Sequence, residues 1–293
     1  MFEKKKQSQI ETSKFDGVLS KDLPGGRVRV PEGSEKKSYY KYYLEPMSGY
    51  PTESLKAEIK SRNFSAGQGL EAKDRCKLQL EDPYPAIDGV YPLKAGGVMT
   101  CANVKVPDMT GEMFAWWADW HGLDPLRYAI WDPEDHYDLK IIKNRERLLD
   151  TSIPIGEKII GTKHAILESF DKDAPASLSM EFVSPWDCGY DKSLAGTDRH
   201  MYMICAKADM MNGKIPVFAS EVLVKGKDGV NEIRSRFWIG YELQPDGSLV
   251  CKIPKFIKPP KKIVEQLVIH NLKEFTRLNE ILPRIYEEEK DNL

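Results

Sequence analysis

The chain has 293 residues, 41% of them hydrophobic and 30% charged, with a formal net charge of -2. This is the balance of a folded globular protein, well away from disorder, and it gives no overall attraction to nucleic acid or to an anionic membrane. No run of about 18 apolar residues that could span a membrane occurs, and no apolar secretory stretch follows Met1–Lys6, so the expected partner is a small molecule and the expected location the cytoplasm.

Residues 1 to about 37 are polar, with Gly25-Gly26 and Lys36-Lys37, and read as a flexible entry with one or two extended pieces. A tyrosine cluster follows, at Tyr39, Tyr40, Tyr42, Tyr43 and Tyr50. Tyrosine buries area while keeping a polar tip, so the cluster suits an interface or a lid, and a homodimer is expected from it. A short helix is expected over Thr52–Arg62, among Gly and Pro breakers. Residues 1–90 are taken as a smaller N-terminal portion and 91–293 as the main domain.

From Val98 to Val106 apolar residues alternate, the period of a strand. Thr110 can cap a helix that runs through Trp116-Trp117-Ala118-Asp119-Trp120-His121 to Gly122. Strand-like runs then cover His136–Lys143, Gly161–Phe170, Leu178–Ser184, Met201–Ala208, Val217–Lys225 and Val230–Leu243. Lys227-Asp228-Gly229 and Pro245-Asp246-Gly247 are hairpin signals. Consecutive strands on short turns predict an antiparallel sheet rather than βαβ units. A helix from about Lys262 to Leu278, extended toward Tyr286, carries Ile263, Val264, Leu267, Val268, Leu272, Phe275 and Leu278 as one apolar stripe. The expected class is α+β: a curved antiparallel sheet gripping a long C-terminal helix, with a cavity between them.

Five cysteines (Cys76, Cys101, Cys188, Cys205 and Cys251) show no CxxC spacing. Reduced thiols are expected, and a thiolate zinc site is not. HExxH, GxSxG and P-loop patterns are absent. The five histidines are His121, His136, His164, His200 and His270. In a strand, His164 and Glu168 share a face, and a glutamate on an apolar face has to be paired or bound to a metal. His270 lies beside the apolar stripe of the last helix, and His136 opens a strand after a Pro-containing loop. One carboxylate and two imidazoles with a fourth position open to water is the pattern of a catalytic zinc site. Spacing alone favours, for each of these residues, an ordinary partly buried hydrogen-bonding role over a ligand's.

Three phrases carry a family resemblance: Trp116 to His121, Arg127-Tyr128-Ala129-Ile130-Trp131-Asp132-Pro133-Glu134-Asp135-His136, and Arg234-Ser235-Arg236-Phe237-Trp238-Ile239-Gly240. With the His270 helix ending Leu282-Pro283-Arg284-Ile285-Tyr286, they resemble the diacetylphloroglucinol hydrolase and phloretin hydrolase family over residues 95 to 290. The resemblance implies a Bet v 1-like helix-grip fold. It also implies zinc held by His136, Glu168 and His270, and Tyr128 on a ring hydroxyl of the substrate. The implied activity is hydrolysis of the carbon–carbon bond between an acyl group and a phloroglucinol-type ring, on an acylated polyphenol. Phloretin is the first choice of substrate and 2,4-diacetylphloroglucinol the second. A non-catalytic carrier of a phenolic ligand, and hydrolysis of an ester or amide, are the rival readings.

One departure stands out. The family places a substrate-binding histidine on the strand before the Arg-Ser-Arg-Phe-Trp phrase, where this chain has Ser220-Glu221-Val222. Glu221 or His200 is expected to take its place and to be the candidate proton donor to the ring. Trp131, Trp238 and Tyr241 are expected to form aromatic walls. His121 and His164 are candidate outer groups around the metal, with plain packing as the alternative for each.

Overall fold

The computed structural model describes residues 26–170, 175–210 and 213–292. The first 25 residues of the expected entry segment lie outside the described residues. In chain order the elements are α1 (Tyr40–Leu44), α2 (Glu53–Ser61), β1 (Gly89–Pro92), β2 (Val98–Lys105), α3 (Gly111–Trp120), α4 (Pro125–Ala129), β3 (His136–Lys143), α5 (Glu146–Leu149), β4 (Lys163–Glu168), β5 (Ala176–Val183), β6 (Tyr202–Met210), β7 (Ile215–Lys225), β8 (Asn231–Ile239), β9 (Tyr241–Leu243), β10 (Leu249–Cys251) and α6 (Lys261–Glu289). Eight strands make one antiparallel sheet in the order β1-β2-β8-β7-β6-β5-β4-β3, and β9 and β10 form a separate hairpin. This is the Bet v 1-like helix-grip arrangement: the sheet curls around α6.

The caps follow local chemistry. The Thr110 hydroxyl accepts from the Met113 N–H and opens α3, and Asp124 accepts from Leu126 N–H ahead of Pro125 in α4. The run expected over Val230–Leu243 is broken at Gly240, whose φ of 96° and contact with Ile253 suit glycine alone. β9 therefore leaves the sheet and pairs with β10. α6 runs eleven residues beyond Leu278, through Pro283, to Glu289. Leu272, Phe275, Leu278, Ile281, Leu282 and Ile285 on it are all fully buried, each contributing about 1.5–3 kcal/mol of transfer free energy.

The sheet is covered on both faces. α6 fills the concave side. On the convex side Leu70, Ala72, Leu78, Tyr91 and Leu93 pack against Met99, Cys101, Met203, Phe218, Val222 and Trp238. Arg234 and Arg236, both wholly buried, fasten that cover. Arg234 donates to the carbonyls of Leu78, Leu80 and Glu81, and Arg236 to those of Pro85 and Ala102. The tyrosine cluster is taken up by its own chain. Tyr42 and Tyr43 are buried, Tyr43 donates to Val28 O at 2.6 Å, and Tyr39 donates to Asp124 at 3.0 Å. Arg277 on α6 donates to Tyr42 O at 2.8 Å, so this segment is bolted to the helix. The expected homodimer thus loses the exposed tyrosine patch on which it rested. Among the described residues no helix is long and apolar enough to cross a membrane.

Candidate metal centre

A cavity opens between the concave face and α6. Most of its wall is apolar, with Phe170, Met180, Phe182, Ala206, Ala219 and Phe237 among the lining side chains. Its polar groups gather at one end, where β3, β4, α4 and α6 meet.

His136 is the first residue of β3 and pairs across the ladder with Glu168, the last of β4. Its Nδ1 lies 3.1 Å from Tyr128 O. A carbonyl can only accept, so Nδ1 carries the proton and Nε2 presents a lone pair. That Nε2 lies 3.3 Å from Nε2 of His270, 3.4 Å from Oε2 of Glu274 and 3.9 Å from Oε2 of Glu168. Glu274 Oε2 is also 3.6 Å from His270 Nε2. Behind His270, Asp132 Oδ2 stands 3.8 Å from Nδ1, and Lys273 bonds the same carboxylate at 2.8 Å. Lys273 also pairs with Asp135.

Asp132, His136 and His270 form one buried group whose ligand atoms all lie within 4.8 Å of one another, close enough to hold a metal ion. Two further carboxylates compete for the position. Glu274 and Glu168 approach the Nε2 side of the imidazoles, whereas Asp132 faces the opposite nitrogen of His270. Four donors at bond lengths of about 2.0–2.2 Å around a tetrahedral ion stand about 3.3–3.6 Å apart. The spacings among His136, His270 and Glu274 fit that figure, and Asp132 fits the role of the carboxylate that orients a ligating imidazole.

The electrostatics agree with a site built for a cation. Burial drives His136 far below the usual imidazole range and His270 down to about 3, so both rings are neutral. Burial pushes Glu168 up to about 7, opposed by the Tyr128 hydrogen bond and reinforced by the charges of Asp135 and Asp132. Glu274 is raised well above the carboxylate range by burial and by Glu221 and Glu168. Neutral imidazoles and crowded carboxylates without a central cation are an electrostatic deficit that a divalent ion relieves.

The other expected site residues divide. Tyr128 stacks on His136 (centroids 4.0 Å, 3° between planes), and its hydroxyl donates to Glu168 Oε2. Trp131 lines the cavity edge-on to His136, its Nε1 held by Glu274 O at 3.0 Å. Glu221 on β7 faces the same polar end. His121 lines the cavity beyond Trp131, while His164 packs behind it, against Gly122 and Phe182.

Three expected residues lie elsewhere. Trp238 is on the convex face, donating to Leu70 O at 2.9 Å, because even-numbered residues of β8 point away from α6. Phe237, its neighbour, takes the wall position. Tyr241 lies past the Gly240 turn and donates to Gly96 O at 3.0 Å. His200 is held by Gln79 at 2.7 Å and packs on Trp186, away from the cavity. It is therefore not placed to deliver a proton to a ligand in the cavity, whereas Glu221 lines that cavity. The sequence reading missed Glu274, although His270 and Glu274 at i and i+4 share one helix face.

Residues 70–287 match the DAPG hydrolase PhiG domain family. The chain is 36% identical over 270 residues to phloretin hydrolase of Eubacterium ramulus, spanning 92% of this chain and 96% of the relative. It is 25% identical over 221 residues to a 2,4-diacetylphloroglucinol hydrolase of Pseudomonas sp, spanning 71% of this chain and 74% of that one. Among solved structures, norcoclaurine synthase from Thalictrum flavum is similar at a distance, with a TM-score of 0.36 and 14% identity over 65% of this chain and 86% of that one. The chain belongs to the DAPG hydrolase PhiG domain family and is an enzyme homologous to the phloretin and 2,4-diacetylphloroglucinol hydrolases, hydrolases of carbon–carbon bonds.

Proposed function

We propose that this enzyme hydrolyses the bond between the acyl carbonyl and the ring of an acylphloroglucinol, with phloretin as substrate and phloroglucinol and 3-(4-hydroxyphenyl)propionate as products. The observation that carries this reading is the convergence of His136 Nε2, His270 Nε2 and the Glu274 and Glu168 carboxylates at the polar end of an otherwise apolar cavity. The apolar wall beyond that end, with Met180, Phe182 and Phe237, offers an aryl arm the aromatic and aliphatic surface it would bury.

His136, His270, Glu274 and Glu168 would hold the ion, with Asp132 and Lys273 behind His270. Zinc bound there would supply a water activated at neutral pH and polarise the acyl oxygen. The rest falls to the chain's own groups. Tyr128, fixed by its stack on His136 and its bond to Glu168, presents its hydroxyl to a ring hydroxyl of the substrate. Glu221 is the proton donor. Burial raises it to about 8, helped by the charge of Glu168.

The hydrogen-bond chain agrees with a neutral Glu221. Asn271 Nδ2 donates to Glu274 at 2.8 Å, so its Oδ1 accepts the Ser235 hydroxyl proton at 2.8 Å. The Ser235 lone pairs are left facing Glu221, 3.5 Å away, as a protonated carboxyl requires.

Glu221 gives its proton to the ring carbon that bears the acyl group and takes back the one that a ring hydroxyl releases as it becomes a ketone. Water then adds to the acyl carbonyl. The carbon–carbon bond breaks with its electron pair passing into the ring ketone, which returns to the phenol, and the acyl carbon leaves as a carboxylic acid.

Purified protein incubated with phloretin should release both products in equal amounts, read by liquid chromatography. It should also carry about one zinc per chain by elemental analysis. Glu221→Gln should lower turnover by about a hundredfold with zinc retained. Absence of product with zinc bound would sink the reading in favour of another bond or of simple ligand carriage.

A further inference from the structure

His121 is only 6% exposed, and among the described residues its Nε2 has no hydrogen-bond partner. It follows the last turn of α3, and its Nδ1 lies 2.9 Å from Trp117 O. The carbonyl accepts, so Nδ1 carries the proton; burial holds the ring neutral by pushing it down to about 4, and Nε2 is therefore a bare acceptor. The ring is clamped in place, stacked on Trp117 at 5.7 Å and edge-on to Trp131 at 5.8 Å, and it lines the cavity.

Its placement is specific. Trp131 stands between it and the metal end, 5.1 Å from His136 on its other side. The polar lining residues other than His121 are the group around His270 and Asp209 near the end of β6. Around His121 the cavity lining is aromatic, with Trp117 and Trp131 in contact with its ring. Neighbouring His164 does not answer it. His164 Nε2 donates to Thr162 Oγ1 at 3.1 Å, because that hydroxyl spends its proton on Ile159 O at 2.7 Å. The Nδ1 of His164 is then an acceptor as well and has no partner. Two acceptors cannot satisfy one another, so the site calls for a donor. A cavity-wall acceptor that the ligand must meet discriminates against a ligand that lacks the donor.

We propose that His121 Nε2 receives a hydrogen bond from a hydroxyl on the far ring of the acyl arm, so that the enzyme selects acylphloroglucinols whose arm ends in a hydroxyaryl group. This inference rests on the proposed reaction for the identity of the ligand, and it concerns specificity, not the chemical step.

The test compares phloretin with the analogue that lacks only the hydroxyl on the arm ring. Dissociation constants are read by titration calorimetry and kcat/KM by product release, for the wild type, His121→Asn and His121→Phe. Asparagine keeps a donor for Trp117 O and removes the distal acceptor; phenylalanine keeps the ring volume. The wild type should prefer phloretin by about tenfold, the worth of one buried hydrogen bond, and both variants should bring that ratio to about one. Equal handling of the two ligands by the wild type, or a preference that survives in His121→Asn, would overturn the proposal. If the wild type cleaves neither compound, the proposed reaction falls, and the ratio of the two dissociation constants still decides the role of His121.

Discussion

His136 and His270 meet Nε2 to Nε2 at 3.3 Å, although 134 positions separate them in the chain. One opens β3 and the other lies in the second turn of hydrogen bonds along α6, so the centre exists only when the sheet has closed on the helix. Both rings are neutral and both lone pairs face the same small space. His136→Ala, His270→Ala and Glu168→Ala should each lose stoichiometric zinc and at least about a hundredfold in turnover. Full metal content in all three, measured by elemental analysis, would remove the centre from the account.

Tyr128→Phe deletes one hydroxyl and leaves the stack on His136 in place. Its zinc content should stay at the wild-type level, while kcat falls by about ten- to a hundredfold. Unchanged kcat would show that the hydroxyl serves Glu168 alone.

Away from the cavity, the bond between Gln79 and His200 has a direction. Asp191 N–H donates to Gln79 Oε1 at 2.9 Å, and Gln79 Nε2 bonds Asp191 O at 3.1 Å, which fixes the amide. Its N–H must then donate to His200 Nδ1 at 2.7 Å, and a protonated imidazole could not accept it. Burial holds His200 down at about 4, below its unfolded value of about 6.5. Between those values the unfolded chain binds more protons, so stability rises with pH through this window and is lost as pH falls from about 6.5 toward 4. In urea melts at pH 7 and pH 5, His200→Asn should show an acid loss smaller than that of the wild type by about 1–2 kcal/mol. Identical losses would mean that His200 does not report this contact.

The two neighbours Phe237 and Trp238 should separate by phenotype. Trp238→Ala empties a wholly buried convex-face site and should cost about 3–5 kcal/mol of stability, with the kinetics of the folded fraction little changed. Phe237→Ala, on the cavity wall, should instead raise KM for an arylacyl substrate. The reverse pattern in denaturant melts and steady-state kinetics would contradict the assignment of faces.

Much of this was readable beforehand, for reasons that are physical. The stripe on α6 and the hairpin turns announced the helix-grip, since amphipathic period and turn chemistry are local. His136, Glu168 and His270 are the ligands the resemblance implies; His136 Nε2 lies 3.3 Å from His270 Nε2 and 3.9 Å from Glu168 Oε2, while the compact buried group joins the two histidines with Asp132. Trp238 was misread because strand period gives the alternation of faces but not which parity looks inward. Resolving that requires a second contact, here Ser235 to Asn271 at 2.8 Å. The break at Gly240 was hidden because the residues on both sides of it read as strand. Glu274 was legible in principle as the partner of His270 one turn on, but a helix-face glutamate is usually solvated, and only the cavity removes it from water.

The fastening of Arg234 and Arg236 to five backbone carbonyls has a consequence for how such an enzyme can change. Those guanidiniums serve main-chain atoms that almost any residue would supply, so the grip tolerates drift in the segment it holds while the arginines themselves stay indispensable. Ser235 and Phe237, interleaved with them, face inward, Ser235 to Asn271 of α6 and Phe237 to the cavity. A single strand thus carries fixed architecture on its even, outward steps and an adjustable cavity wall on its odd, inward steps, and preference for a new acyl arm can be acquired without loosening the shell.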